Sequence, residues 1–369
     1  MLKRLSRLSI FIALFVFTAL LAIACVAPDP NASTSTPGSS SSPAVKTLNL
    51  YNWTTYIDPE VVREFEQKFS AKVKYDTFDS NESLYAKIKA GNPGYDIIVP
   101  TDYMVEIMVA EGILEELNLS KLPNRKNLSP RFQNLSFDPN NKHSIPYQWG
   151  TQGLGYNIKA TGGEIDSWDE IFDPKYQGRV ALLDDMRATL GVMLIYLGYS
   201  LNTKSAEEIA EARDALISLR DNVAAFHADT GQDLLAQGQV DLVVEYNGDI
   251  FQKMEENPDL RYVIPKEGTI FWTDNLAIPK GAPNRELAEQ FINFILEPEI
   301  GAKNSNFIKY ASPNQGAIDQ GLIDADSLKD PGIYPDPEVL TKLRILEDVG
   351  EATRLYDEAW TEVKVSIGG

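Results

Sequence analysis

Hydrophobic and polar residues along this chain form short blocks that predict strands and helices in alternation. Residues 47–53 alternate as a half-buried strand does, and Asp58 followed by Pro59 then supplies an N-cap and a first-turn proline. Val61 and Phe65 follow four residues apart and mark the buried face of a helix. A strand followed at once by an amphipathic helix is the repeating unit of a layered α/β domain.

The same unit recurs along the rest of the chain. Further strands are predicted at 72–78, 95–100, 178–183, 240–245, 261–265 and 270–279. Further helices are predicted from Ser80 or Asn81 to Gly91, at 189–199, at 207–219, around Leu287 and Ile295, and from 337 to 365 with a break at Gly350. In a chain of 369 residues this alternation favours an α/β fold with two domains.

The first residues are typical of an export signal. A basic start precedes an apolar run at 8–23, which has the length of a secretory signal and is short for a membrane span. Small residues then lead to Cys25, which resembles a bacterial lipobox. We therefore expect 1–24 to be a lipoprotein signal peptide and Cys25 to be acylated, with an uncleaved membrane anchor as the alternative. Either outcome places the protein on the periplasmic or extracellular face of the cytoplasmic membrane, where it is lipid-anchored in the first case.

Residues 25–44 are predicted to be a flexible tether between the lipid and the folded body. Serine, threonine, proline, glycine, asparagine and alanine dominate this segment, and such a composition cannot bury enough apolar surface to fold. Cys25 is the only cysteine in the sequence, so the chain can form neither an intrachain disulfide nor a thiolate metal cluster.

The net charge of the chain excludes some classes of partner. The formal charge is −19, and it becomes −22 when Lys3, Arg4 and Arg7 leave with the signal peptide. Such a negative field repels nucleic acid and anionic lipid surfaces, whereas it attracts cationic ligands.

One predicted strand combines an aromatic ring with a carboxylate. Trp272 and Asp274 are two residues apart, so in an extended strand both side chains leave the same face. A large ring beside an anion suits an organic cation, because the ring quadrupole and the charge attract it together. The alternative is that Trp272 is a core residue and Asp274 a strand-end cap.

Aromatic and acidic residues also follow several other predicted strands. Trp53 and Tyr56, Tyr103 and Asp185 each come where a strand gives way to a helix. In open α/β sheets this carboxyl end is where ligands bind.

Patterns for several kinds of chemistry are missing from the sequence. No Walker-type glycine loop is present, and Gly153-Leu154-Gly155 lacks the third glycine of a dinucleotide-binding loop. His143 and His227 have no partners at metal-ligand spacing, so neither a zinc site nor a histidine-based catalytic triad is expected. Asp185, Asp249 and Asp274 could in principle act as glycosidase carboxylates, and an extracellular hydrolase is therefore one alternative function.

Several segments of the chain resemble the periplasmic spermidine/putrescine-binding proteins of ABC importers. The segments that carry the resemblance are 50–56 (LYNWTTY), 78–87 (FDSNESLYAK), 137–147, 184–187 (DDMR), 265–279 and 347–350 (EDVG). The resemblance implies a type II periplasmic-binding-protein fold with two lobes, a hinge and an interlobe cleft. Lobe 1 would comprise 45–150 with 274–320, and lobe 2 would comprise 151–273 with 321–369. The hinge would lie near 150–155 and 269–274, where the chain crosses between lobes.

The resemblance also implies which side chains line the ligand cleft. Carried over position by position, the expected ligand-binding residues are Trp53, Thr54, Tyr56, Thr101, Tyr103, Asp185, Tyr246, Asp249, Trp272, Asp274 and Tyr310. The aromatic residues would enclose the methylene chain of a polyamine, and the acids would accept hydrogen bonds from its ammonium groups. Tyr246 stands where the family usually has tryptophan, and Asp249 matches an acid found in putrescine-selective members. No catalytic residue, cofactor or metal is implied.

Two positions depart from the spermidine-type pattern and leave the preferred polyamine open. Ala188 replaces a glutamate, and Leu346 replaces a glutamine. The expected function is polyamine capture for an ABC permease in the membrane by a monomeric lipoprotein. A polyamine sensor is one alternative, and the same fold binding another organic cation or an amino-acid derivative is a second.

Overall fold

The computed structural model describes residues 45–228 and 230–368. Within that part, nine strands form one mixed sheet: β1 (Lys46–Asn52), β2 (Ala71–Thr77), β3 (Ile97–Ile98), β4 (Ser144–Asn157), β5 (Val180–Leu183), β6 (Val223–His227), β7 (Leu242–Tyr246), β8 (Leu260–Val263) and β9 (Phe271–Ala277). The predicted signal peptide, Cys25 and the tether lie outside the described residues.

Helices cover the sheet and connect its strands. The described residues contain fourteen α-helices: α1 (Pro59–Phe69), α2 (Asn81–Lys89), α3 (Asp102–Ala110), α4 (Ile158–Thr161), α5 (Met186–Tyr196), α6 (Ala206–Ser218), α7 (Gly231–Ala236), α8 (Asn247–Glu256), α9 (Arg285–Ile295), α10 (Pro298–Ile308), α11 (Gln315–Asp319), α12 (Ala325–Lys329), α13 (Pro337–Leu340) and α14 (Thr353–Ile367). Seven short 3-10 turns lie at Leu119–Lys121, Pro123–Asn127, Pro130–Phe132, Pro139–Asn141, Trp168–Phe172, Pro174–Tyr176 and Gly350–Ala352. In the described part of the chain, no helix is long and apolar enough to span a bilayer.

The strand order is β2-β1-β3-β9-β4-β7-β5-β6, with β8 also paired to β4. Strands β1, β2 and β3 are parallel to one another, and so are β5, β6 and β7. Strands β4 and β9 run antiparallel to each other, and each also pairs antiparallel with a strand on its outer side. Two sets of parallel strands with helical connections are therefore joined by a long antiparallel pair, and the predicted α/β class is confirmed.

Strand β4 links the two parallel sets because it changes partner along its length. Residues 144–151 pair with β9, whereas residues 152–157 pair with β7 and β8. The change of partner falls within the segments 150–155 and 269–274, where the hinge was expected. The hinge motion and the lobe boundaries stay predictions.

The capping signal before α1 predicted its start correctly. Helix α1 begins at Pro59, and the Asp58 carboxylate accepts a hydrogen bond of 2.8 Å from the Glu60 N–H, as an N-cap does.

Two other predicted helices have different bounds in the structure. The helix predicted at 189–199 was placed too late, because Asp185 caps it and it starts at Met186. The helix predicted across 337–365 is interrupted between α13 and α14 for longer than the break at Gly350 indicated.

Candidate ligand-binding site

One cavity lies where the two parallel sets of strands face each other. The space between its walls is about 690 Å³ when the part that is open to solvent is included. The structure brings all eleven predicted ligand-binding residues to its wall, together with six others. The lining residues are Trp53, Thr54, Tyr56, Asp79, Asn81, Thr101, Tyr103, Leu183, Asp185, Ala188, Ala228, Tyr246, Asp249, Trp272, Asp274, Tyr310 and Leu346.

Strand ends place most of these side chains. Trp53 follows β1, Thr101 follows β3 and is the N-cap residue of α3, and Asp185 follows β5 as the N-cap residue of α5. Tyr246 ends β7, and Asp249 lies in the first turn of the helix after it. The carboxyl ends of both parallel sets thus point at one space, as the sequence indicated.

Trp272 and Asp274 on β9 project into the cavity together, which agrees with their spacing in the strand. Phe271 lies on the opposite face, where its ring is 5.4 Å from that of Trp149. The alternation expected of a strand therefore holds here, and β9 contributes one ring and one carboxylate to the same site.

Four aromatic rings form one wall of the cavity, with Trp272 at their centre. The ring centroid of Trp272 lies 5.2 Å from Tyr310, 5.7 Å from Tyr246 and 6.5 Å from Tyr56. Tyr56 and Tyr310 also contact each other edge to face at 5.2 Å. The rings therefore hold one another in place and present a rigid apolar and π-electron surface.

Asp274 is a buried carboxylate next to the aromatic wall. The Thr101 hydroxyl donates a hydrogen bond of 2.6 Å to its Oδ1 atom, and the Tyr56 hydroxyl faces the same carboxylate. Burial raises the pKa of Asp274 to about 7, although both hydroxyls act to lower it. An ionised Asp274 therefore lacks enough compensation from the protein, and a cation would supply it.

Asp249 is a second buried carboxylate, on the α8 side of the cavity. It accepts hydrogen bonds from the Tyr310 hydroxyl at 2.6 Å and from the Thr55 hydroxyl at 3.3 Å. Burial raises the pKa of Asp249 to about 6, against the effect of these two donors.

Asp185 is a third carboxylate on the cavity wall, and Glu82 lies close enough to interact with it electrostatically. Asp185 accepts a hydrogen bond of 2.8 Å from the Ala188 N–H, and burial raises its pKa. The Tyr103 hydroxyl donates to Glu82 at 3.0 Å. The Glu82 residue is exposed overall, yet the burial of its carboxyl group and the charge of Asp185 raise its pKa. Acidic side chains near the start of α2 and at the N-cap of α5 therefore adjoin the cavity in addition to Asp249 and Asp274.

The sequence prediction missed Asp79, Asn81 and the nearby Glu82. These residues precede or begin α2, where polar and acidic residues also serve as ordinary helix-start signals. Because helix capping alone accounts for these residue types, the sequence does not indicate that they lie beside the cavity. Ala188 and Leu346, the two departures from the family pattern, line the cavity as well.

Both histidines hydrogen-bond to backbone carbonyl groups, and neither lines this cavity. His227 is buried with its Nε2 atom 3.2 Å from the Val244 carbonyl oxygen, and burial lowers its pKa to about 4. The Nδ1 atom of His143 lies 3.2 Å from the Glu115 carbonyl oxygen. Across 45–228 and 230–368, no three histidine, cysteine, aspartate or glutamate side chains are grouped to hold a metal ion.

Gly248→Ala is expected to lower the free energy of unfolding by about 1–3 kcal/mol, because it overpacks the cavity wall. A Cβ atom at Gly248 would lie 2.4 Å from the nearest ring atom of Tyr310. Gly163→Ala is the matched control, since a Cβ atom there has no neighbour within 4 Å. Chemical denaturation of both variants checks the prediction, and equal stabilities would contradict the packing described.

Comparisons with known proteins agree with this architecture. Residues 60–333 match the family model described as bacterial extracellular solute-binding protein. The spermidine/putrescine-binding periplasmic protein of Escherichia coli strain K12 is 39% identical over 320 residues, which cover 86% of this chain and 91% of that protein.

Solved structures show the same similarity. PotD, a spermidine/putrescine ABC transporter substrate-binding protein from Streptococcus pneumoniae, is 38% identical with a TM-score of 0.75, covering 87% of this chain and 99% of that one. The Tp0655 lipoprotein of Treponema pallidum is 30% identical with a TM-score of 0.77, covering 86% and 99%. These neighbours have the two-lobed periplasmic-binding-protein fold, which confirms the predicted fold class. The chain belongs to the family of bacterial extracellular solute-binding proteins.

Proposed function

We propose that this protein captures a polyamine of the putrescine or spermidine type in its cleft and delivers it to an ABC importer. The observation that carries the proposal is the pairing of buried carboxylates with an aromatic wall in a single cavity. An aliphatic polyamine matches both, because it has charged ends and apolar methylene groups between them. The names of the relatives support the same ligand class.

The interactions that the cavity can make with a polyamine are strong enough for tight binding. Cation–π contacts with the wall would contribute about 0.5–2 kcal/mol each. Each buried methylene group would add about 0.8 kcal/mol. Pairing the ammonium groups with Asp274 and Asp249 offsets the loss of their hydration. After association costs of several kcal/mol, the balance supports a dissociation constant of about 1 μM or lower.

A panel of small molecules tests the ligand class through the melting temperature. Putrescine, cadaverine, spermidine and spermine are compared with 1,4-butanediol, which matches the putrescine chain without its charges. We expect polyamines to raise the melting temperature and the diol to leave it unchanged. Stabilisation by the diol, or by none of the amines, would contradict the proposal.

Affinity for putrescine is expected to fall by about tenfold or more between pH 8 and pH 5.5. The pKa values of about 7 for Asp274 and about 6 for Asp249 mean that both carboxyls take up protons across this range. The amines stay charged throughout, since primary amines titrate near pH 10. Calorimetric titration at both pH values checks the prediction, and an affinity independent of pH would contradict it.

We propose in addition that Cys25 carries the lipid that holds the protein at the membrane. The basic and apolar start of the sequence supports this, as does the description of the Treponema pallidum relative as a lipoprotein. Expressing cells given a labelled fatty acid should label the wild-type protein but not the variant Cys25→Ser. Labelling of the variant, or no labelling of the wild type, would contradict acylation at this position.

A further inference from the structure

Asn81 holds Thr101 through both ends of its side-chain amide. It is the first residue of α2 and is 3% exposed. Its Oδ1 atom accepts from the Thr101 N–H at 3.1 Å, and its Nδ2 atom donates to the Thr101 Oγ1 atom at 3.0 Å. The backbone N–H needs an acceptor, so it fixes which end of the amide faces it. The NH₂ group must then face the hydroxyl oxygen.

This arrangement gives the Thr101 hydroxyl a direction. A hydroxyl has one hydrogen to donate, and the Asn81 NH₂ group already donates to its oxygen. The hydrogen is therefore left for the Asp274 Oδ1 atom, 2.6 Å away. Thr101 and Asp274 are 7% and 6% exposed, so water competes little with this bond.

Thr101 and Asp274 stand on neighbouring parts of the fold, and Asn81 reaches Thr101 from the start of α2. Thr101 follows β3, and Asp274 lies on β9, which pairs with β3. The Asn275 N–H donates to the Pro100 carbonyl oxygen at 2.9 Å, which fixes the two segments beside each other. Because these contacts join adjacent elements, the set is in place before any ligand enters.

We propose that Asn81 is a positioning residue for ligand binding, which directs the Thr101 hydroxyl onto Asp274 and so holds that carboxylate ready to receive an ammonium group. This inference rests on the proposed function. Asn81 acts through Thr101 and Asp274, so its contribution depends on the Thr101 hydroxyl being present.

A double-mutant cycle on the full chain tests that dependence, with putrescine as the probe and calorimetry at pH 7 as the measurement. Thr101→Val removes the hydroxyl and should weaken binding by about tenfold, as expected for a hydrogen bond to a charged group. Asn81→Ala should weaken it by a smaller factor. The double variant should bind no more weakly than Thr101→Val alone. Losses that multiply would show that Asn81 acts independently of the hydroxyl, and they would overturn the inference.

The variant Asn81→Asp separates two roles for Asn81, because they predict opposite changes in putrescine affinity. The aspartate still accepts from the Thr101 N–H but cannot donate to its hydroxyl, which would turn away from Asp274. We expect weaker putrescine binding. If Asn81 served only as cavity lining, the added negative charge would strengthen cation binding, so a rise in affinity would overturn the inference.

The pH dependence of binding separates this role from a structural one. Loss of the Thr101 hydrogen bond should move the fall in affinity to higher pH, because that bond favours the ionised form of Asp274. The other titratable groups facing Asp274 are Tyr56, Tyr147 and Asp102, and none of them is altered. An unchanged pH profile in Asn81→Ala and Thr101→Val would overturn the inference.

Two controls complete the design. Thr101→Ser keeps the hydroxyl and should restore wild-type affinity. Asn222→Ala removes another buried asparagine, which donates to the Ile171 and Asp173 carbonyl oxygens. It should lower the melting temperature without changing affinity. Wild-type protein that binds neither putrescine nor spermidine would contradict the proposed function, whereas normal wild-type binding with additive losses in the variants would overturn only the role of Asn81.

Discussion

Asp274→Asn is expected to weaken putrescine binding by about a hundredfold or more at pH 8, as measured by calorimetric titration. Asp274 is 6% exposed and lies beside the Trp272 ring on the same strand. Asparagine has the same shape and can still accept from Thr101, but it carries no charge to balance a buried ammonium group. Affinity within a factor of a few of wild type would remove Asp274 from the site.

The stability of the ligand-free variant distinguishes lost binding from misfolding. A carboxyl whose pKa is raised to about 7 stabilises the folded state when protonated, and that contribution is lost as the pH rises through 7. Asparagine has no such titration. The melting temperature of Asp274→Asn should therefore increase relative to wild type between pH 6 and pH 8. A difference in melting temperature between the two proteins that stays the same from pH 6 to pH 8 would contradict this account of the buried charge.

Trp272→Ala is expected to abolish measurable polyamine binding and to lower the free energy of unfolding by about 3–5 kcal/mol. The ring is 6% exposed and contacts Tyr56, Tyr246 and Tyr310, so its removal leaves a void and frees the other rings to move. Denaturant unfolding and calorimetry on the same preparation measure the two effects.

Two variants calibrate that result. Trp272→Phe keeps a ring in the wall and should retain part of the affinity. Trp149→Ala empties a comparable volume on the opposite face, where Trp149 packs on Phe132 and Phe271. It should lose stability by a similar amount yet still bind putrescine. Equal binding losses in Trp149→Ala and Trp272→Ala would mean that instability alone explains the effect.

Elements with strong local signals could be predicted from the sequence. Asp58 and Pro59 set the start of α1 through capping and a fixed backbone angle, and neither depends on distant residues. The two-residue spacing of Trp272 and Asp274 likewise predicted a shared face, because a strand alternates wherever it lies.

Strand β4 could not be predicted in this way. Its sequence contains Pro146 and three glycines, which disfavour a strand on local grounds. The glycines instead provide room for neighbours from distant segments. A Cβ atom at Gly150 would lie 2.6 Å from the Trp272 ring, and one at Gly153 would lie 2.4 Å from the Val263 carbonyl oxygen. The conformation of β4 therefore depends on packing partners that are distant in sequence. Such partners produce no recognisable pattern within the sequence of the strand itself.

The residues of the candidate site likewise fall into those with a signal in the sequence and those without one. Its aromatic and acidic residues were predicted because their side chains and strand-end positions are unusual in the sequence. Asn81 and Glu82 were not, because the start of α2 explains both residue types without a ligand. Only the fold brings them beside Thr101 and Tyr103.

Calorimetric titration of the wild-type protein with putrescine and with spermidine at pH 8 tests the central claim most directly. At this pH the cleft carboxylates are ionised, since the pKa values of Asp249 and Asp274 are about 6 and about 7. We predict binding at one site per chain, with a dissociation constant of about 1 μM or lower for at least one of the two amines. At an amine concentration of about 1 mM, even a binding free energy of about −4 kcal/mol would be detected. The absence of binding heat with both amines, from protein that is folded, would contradict the claim.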